Sequence, residues 1–90
     1  MEVTKDSLQT KSISDIAATI FSDWKPVSPH ARPYLDAMLD LLTINDQYGA
    51  DSGYTIVAYF LSNASGYRGE TAKMIKAELK RRCTQYEKSK

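Results

Sequence analysis

Residues 51–64 (DSGYTIVAYFLSNA) decide the fold. Between residues 54 and 61 every side chain except Thr55 is apolar or aromatic. Taken alone, such a β-branched and aromatic run suits a strand. Two features select a helix instead. Asp51 and Ser52 stand directly before the run, where a short polar side chain caps a first helical turn. Val57, Leu61 and Ala64 then follow Tyr54 at helical spacing. A segment apolar on nearly every side is a helix buried at the centre of a bundle. Asn63, Ser65 and Gly66 end it.

Working outward, three further helices are predicted. Ile13, Ile16, Ala17, Ile20, Phe21 and Trp24 form one apolar stripe at helical period, capped by Ser12 with Asp15 in the first turn. Pro26 lacks an amide hydrogen and stops that helix. The next starts near Pro29 or Ala31, with Ser28 as cap and proline tolerated in the opening turn. Tyr34, Leu35, Met38, Leu41, Leu42 and Asn45 continue it, with Tyr48 a turn further and Gly49 as its left-handed C-terminal residue. The last helix runs from Gly69 or Glu70 to Tyr86, with Ala72, Ile75, Leu79, Cys83 and Tyr86 inward and Glu78–Arg82 as a favourable pair four residues apart. Residues 1–11 are polar without sustained period and read as a loose arm. The predicted fold is all-α, a compact four-helix bundle-like single domain over residues 12–88. At 90 residues the core is thin.

Charge is unevenly divided. Residues 1–66 carry a net −4 and residues 67–90 a net +5, although the chain totals only +1. Such a molecule can meet a basic partner at one end, an acidic partner at the other, or a copy of itself. The six tyrosines favour core edges and interfaces, since each ring buries area while its hydroxyl needs a partner. The single cysteine, Cys83, cannot form an intramolecular disulfide and sits on the inward stripe, which points to a reducing compartment. No cationic segment followed by an apolar run opens the chain, and the longest apolar run is far below the ~20 residues of a membrane span. The expected location is the cytoplasm, with no membrane partner.

Groups that could carry catalysis do not converge. His30 reads as an exposed imidazole at a helix start, remote from any nucleophile elbow. One His and one Cys cannot build a standard zinc site. Asp36, Asp40, Asp46 and Asp51 lack the spacing of a calcium loop and read as a solvated acidic face. Residues 65–70 (SGYRGE) could present backbone amides to an anion, but lack a Walker ending. The simpler reading is a tight turn in which Tyr67 packs as a staple and Arg68 pairs with Asp46 or Asp51. No catalytic residue, metal or cofactor is expected.

Several segments resemble small cytosolic proteins encoded by bacteriophages and prophages: residues 33–38 (PYLDAM), 44–51 (INDQYGAD), 56–64 (IVAYFLSNA), 67–70 (YRGE) and 75–80 (IKAELK). The resemblance spans over half of the chain and carries no catalytic motif. It implies an accessory protein in the host cytoplasm that acts by binding a host or viral macromolecule. The first expectation is therefore a non-enzymatic protein-binding module that blocks a host defence or enzyme. Its acidic face is Asp23, Asp36, Asp40 and Asp46, anchored by Tyr48. The alternatives are nucleic-acid binding through Arg68, Lys73, Lys76, Lys80 and Arg81, and self-assembly as a homo-oligomer whose opposite poles pair.

Overall fold

The computed structural model describes residues 5–89 as five helices and one small hairpin. In chain order these are α1 (Lys5–Gln9), α2 (Ile13–Asp23), α3 (Arg32–Met38), β1 (Gln47–Tyr48), β2 (Asp51–Ser52), α4 (Gly53–Ser62) and α5 (Glu70–Lys88). Helix α4 lies in the middle, packed between α3 and α5; α2 touches α3 and α5, and α1 lies on α5. The protein is mostly helical but not all-α, because the hairpin is a two-stranded antiparallel sheet pairing Gln47 with Ser52 and Tyr48 with Asp51.

The central run folds as its caps require. The Ser52 hydroxyl accepts the Thr55 N–H at 3.2 Å, and Ile56, Val57 and Phe60 are buried. Helix α2 is capped in the same way, Ser12 Oγ accepting the Asp15 N–H at 3.1 Å. Ile13, Ile16, Ala17 and Ile20 are buried along its stripe. At its end Trp24 packs edge-on against Phe60, with ring centres 6.4 Å apart. Its other face stacks on Tyr67 at 5.1 Å. One indole thereby joins α2, α4 and the turn into α5. Ala72, Ile75, Leu79 and Cys83 are buried on α5 as their spacing predicts.

The helix expected to run from Pro29 or Ala31 through Tyr48 ends at Met38. Beyond it the chain tightens to three residues per turn. Leu39, Asp40 and Leu41 donate to the carbonyls three residues back, Asp36, Ala37 and Met38. Side chains three apart then eclipse. Leu35, Met38 and Leu41 point inward and are fully buried. Asp36, Leu39 and Leu42 form the outer row, and Leu42 is 64% exposed. A period of 3.6 places Leu42 beside Leu41 on the inner stripe; a period of three turns it out.

The helix stops because Asp46 captures its amides. Asp46 Oδ2 accepts the Leu42 N–H at 2.9 Å and the Thr43 N–H at 3.2 Å. Oδ1 accepts the Thr43 hydroxyl at 3.1 Å. In a continuing α-helix those two amides would bond to Met38 and Leu39. The β-branched Thr43 and Ile44, then Asn45 and Asp46, also favour turns over helix. Gly49, expected at a helix C-terminus, takes its positive φ of 59° in the hairpin loop instead.

The N-terminal arm is also corrected where it is described. Residues 5–9 are helical and Leu8 is fully buried against the core. Residues 10–11 form the turn that follows, and residues 1–4 of that expectation lie outside the described residues.

Gly53 marks the tightest approach in the fold. A Cβ there would sit 2.9 Å from the Ile44 carbonyl oxygen and 3.0 Å from that of Thr43. Both atoms are backbone, held by the Asp46 turn, and cannot step aside cheaply. Gly53→Ala is expected to cost about 1–3 kcal/mol in urea denaturation. Gly66→Ala meets only the Trp24 ring at 3.7 Å and should stay within about 0.5 kcal/mol of the wild type.

Candidate functional site

A groove of about 630 Å³ opens where three distant segments meet: residues 9–12, residues 42–45 and the C-terminal part of α5. That volume falls within the roughly 300–1,000 Å³ of ordinary ligand sites. Its construction begins with a buried carboxylate. Glu78 is only 4% exposed. Arg81 holds it through Nε at 2.9 Å and Nη2 at 2.6 Å, and Arg82 donates Nε to it at 2.6 Å. Burial works to raise the Glu78 pKa, but the hydrogen bonds from Arg81 and Arg82 outweigh it and hold it below the ordinary 4.5. The same bond raises the pKa of Arg81.

Arg82 also reaches across to the N-terminal segment. Its Nη2 donates to the carbonyls of Leu8 and Lys11, each at 2.8 Å. Carbonyls at a helix C-terminus lack partners within the helix, and an arginine fork supplies them. Helix α1 is thus fastened to α5 through one guanidinium. On the far wall, α2 begins by donating Ile13 N–H to the Leu42 carbonyl at 3.0 Å and Ser14 N–H to that of Leu41 at 2.8 Å. The wall so fixed carries Leu42 outward into the groove.

The groove is chemically one-sided. Among the described residues it is lined by three cations, Lys11, Arg81 and Arg82, and by no carboxylate. Ile44, Leu42 and Tyr86 supply its apolar surface. Tyr86 is fixed by stacking on Tyr54 with ring centres 4.7 Å apart. Tyr54 in turn donates its hydroxyl to Glu87, which raises the Tyr54 pKa. Cys83 lies buried below; burial first, then the Glu87 charge, pushes its thiol pKa up to about 11. Such a thiol is protonated at neutral pH and a poor nucleophile.

The residues singled out by sequence are placed unevenly. Asp23 accepts the buried Tyr67 hydroxyl at 2.8 Å, and Asp46 holds the turn described above. Hydrogen bonds from the Leu42 and Thr43 amides set the Asp46 pKa below its ordinary 3.8. Neither is a freely offered acid. Asp36 stays exposed with Arg32 at 3.7 Å; Asp40 and Tyr48 are exposed. Among the basic candidates, Lys76 donates to the carbonyls of Ala64 at 3.0 Å and Tyr67 at 2.6 Å, closing the turn between α4 and α5. Arg81 is bound to Glu78. Arg68, Lys73 and Lys80 face solvent. Tyr67 packs as expected, 1% exposed, whereas Arg68 pairs with neither Asp46 nor Asp51 among the described residues. His30 is exposed.

Sequence reasoning missed Lys11, Leu42 and Arg82 as site residues. For Leu42 the available signal was Thr43 three residues before Asp46 in an Asn-Asp turn, which marks a break in the helical period; Lys11 and Arg82 meet only through a contact seventy-one positions apart. Among the described residues, no cluster of three or more His, Cys, Asp or Glu side chains could hold a metal ion. No helix there is long and apolar enough to cross a membrane. Compared with known proteins, the chain matches no family model, and no curated protein or solved structure shows significant similarity to it.

Glu78 makes the site acid-sensitive. Its folded pKa is depressed, so its contribution is full above the ordinary value of 4.5 and is lost as pH falls through the lower folded value. Glu78→Gln should destabilise the protein by roughly 2–3 kcal/mol at neutral pH. In urea denaturation at about pH 3 the gap between variant and wild type should shrink.

Proposed function

We propose that the chain is a non-enzymatic protein-binding domain. One observation carries this reading. Among the described residues, the exposed large hydrophobic side chains, Leu39 (41%), Leu42 (64%), Tyr48 (42%) and Tyr59 (52%), all fall between residues 33 and 67 of the sequence. That stretch contains Asp36, Asp40, Asp46 and Asp51 and no lysine or arginine. Exposed large apolar side chains favour contact with a partner, and tyrosine is a common anchor in such contacts. Tyr59 is braced against Tyr34, with ring centres 5.5 Å apart, so less rotamer freedom is lost on docking. The bacteriophage resemblance supports the same class of role, an accessory protein acting on a host or viral protein in the cytoplasm.

The acidic surface differs from the one expected by sequence. Asp36 and Asp40 remain its charged part; Asp23 and Asp46 serve the fold. The nucleic-acid alternative retains Arg68, Lys73 and Lys80, gives up Lys76 to internal bonds, and keeps only the outer edge of Arg81, whose guanidinium is paired with Glu78. About three phosphate contacts would bind weakly, with a shallow dependence on salt.

Affinity capture from the native cell tests the reading, using the wild type and a Leu39→Ser/Tyr59→Ser variant with unchanged circular dichroism. A protein retained by the wild type should drop by at least about tenfold with the variant. Equal retention by both, or no retention by the wild type, contradicts the proposal.

A further inference from the structure

We infer that one partner of this surface is a second copy of the chain, in a two-fold dimer with Leu42 at its axis. The inference rests on the protein-binding reading and names a partner for the same surface.

Leu42 belongs to two features at once. It ends the outer row Asp36–Leu39–Leu42, whose three-residue spacing brings these side chains into line. It also stands in the wall of the groove. The row and the adjoining Asp40 form an exposed ridge, acidic at Asp40 and at Asp36, whose charge Arg32 partly offsets at 3.7 Å, with a half-exposed leucine at its middle. The groove beside it offers the opposite chemistry. Three cations face it against one buried carboxylate that two of them already share. Ile44 and Tyr86 provide an apolar floor for a leucine.

A ridge and a complementary groove that meet at one residue are the elements of an isologous contact. Rotating one copy by half a turn about an axis near Leu42 sets each ridge in the other's groove. Asp36 and Asp40 then meet Lys11 and the outer edge of Arg81, Leu39 meets Tyr86, and the two Leu42 side chains bury each other. The contact closes on itself, so it makes a dimer and no polymer. Stacking two ridges face to face instead would set aspartates against aspartates, so the charge pattern selects the ridge-in-groove arrangement.

Sedimentation equilibrium of the purified protein tests this with four chains, each checked for unchanged circular dichroism. The wild type should sediment at twice the monomer mass. Leu42→Asp should sediment as a monomer. Asp36→Lys/Asp40→Lys should weaken dimerisation by at least about tenfold, and so should Lys11→Glu/Gln85→Glu. The last variant leaves Arg81, Arg82 and Glu78 intact. An equimolar mixture of the two charge-reversed variants should dimerise again, because each ridge then faces a groove of opposite sign. That recovery separates a lost contact from a damaged fold.

A monomeric wild type, larger open assemblies, a dimer indifferent to Leu42→Asp, or no recovery on mixing would overturn the inference. If the wild type is monomeric while capture of another protein still depends on Leu39 and Tyr59, the dimer fails and the binding reading stands. If the dimer forms and capture shows no such dependence, the binding of a different protein fails instead.

Discussion

The carboxylate of Asp46 is the constraint on which most of this structure depends. By accepting the amides of Leu42 and Thr43 it ends a helix that hydrophobic spacing alone would carry on to Tyr48. The freed chain turns back, and its carbonyls then serve other elements. Those of Leu41 and Leu42 cap the start of α2. That of Asp46 accepts the Gly53 N–H at 2.6 Å and so fixes where α4 begins. One side chain therefore sets the entry of two helices and the outward turn of Leu42.

A second fastening complements the first. Glu78 is buried on α5 and would be costly there alone. Arg81 and Arg82 neutralise it, and Arg82 uses its remaining donor capacity to hold the end of α1. A small domain has little apolar area with which to secure a five-residue helix. Leu8 in the core and an arginine fork on the carbonyls do so together. The groove is the space left between these two fastened regions, and its positive lining follows from the arginines that the fastening needs.

Much of the fold was legible in the sequence, for identifiable reasons. The Ile13–Trp24 stripe, the Ser12 and Ser52 caps and the Ala72–Cys83 stripe are local patterns, and local patterns survive into the structure. The stretch from Leu39 to Ser52 was not legible as helical periodicity, because Leu41 and Leu42 fit a 3.6-residue repeat as well as a three-residue one. Only the side-chain bonds of Asp46 decide between them. The short α1 was missed because one leucine in a polar segment gives no period; its partner, Arg82, is more than seventy positions away. The site was legible only in part. Overall charge division marks residues 67–90 as basic and residues 1–66 as acidic. It does not reveal that Asp23, Asp46, Lys76 and Arg81 are committed to partners inside the fold.

Backbone NMR shifts across residues 39–52 test the central claim most directly. If Asp46 turns the chain as described, helical Cα shifts end near Leu41. Cross-strand contacts should join Gln47 to Ser52, and the Leu42 and Thr43 amide signals should titrate together with a midpoint below the ordinary aspartate pKa of 3.8. Uninterrupted helical shifts from Arg32 through Tyr48, with those amides indifferent to acid, would contradict it.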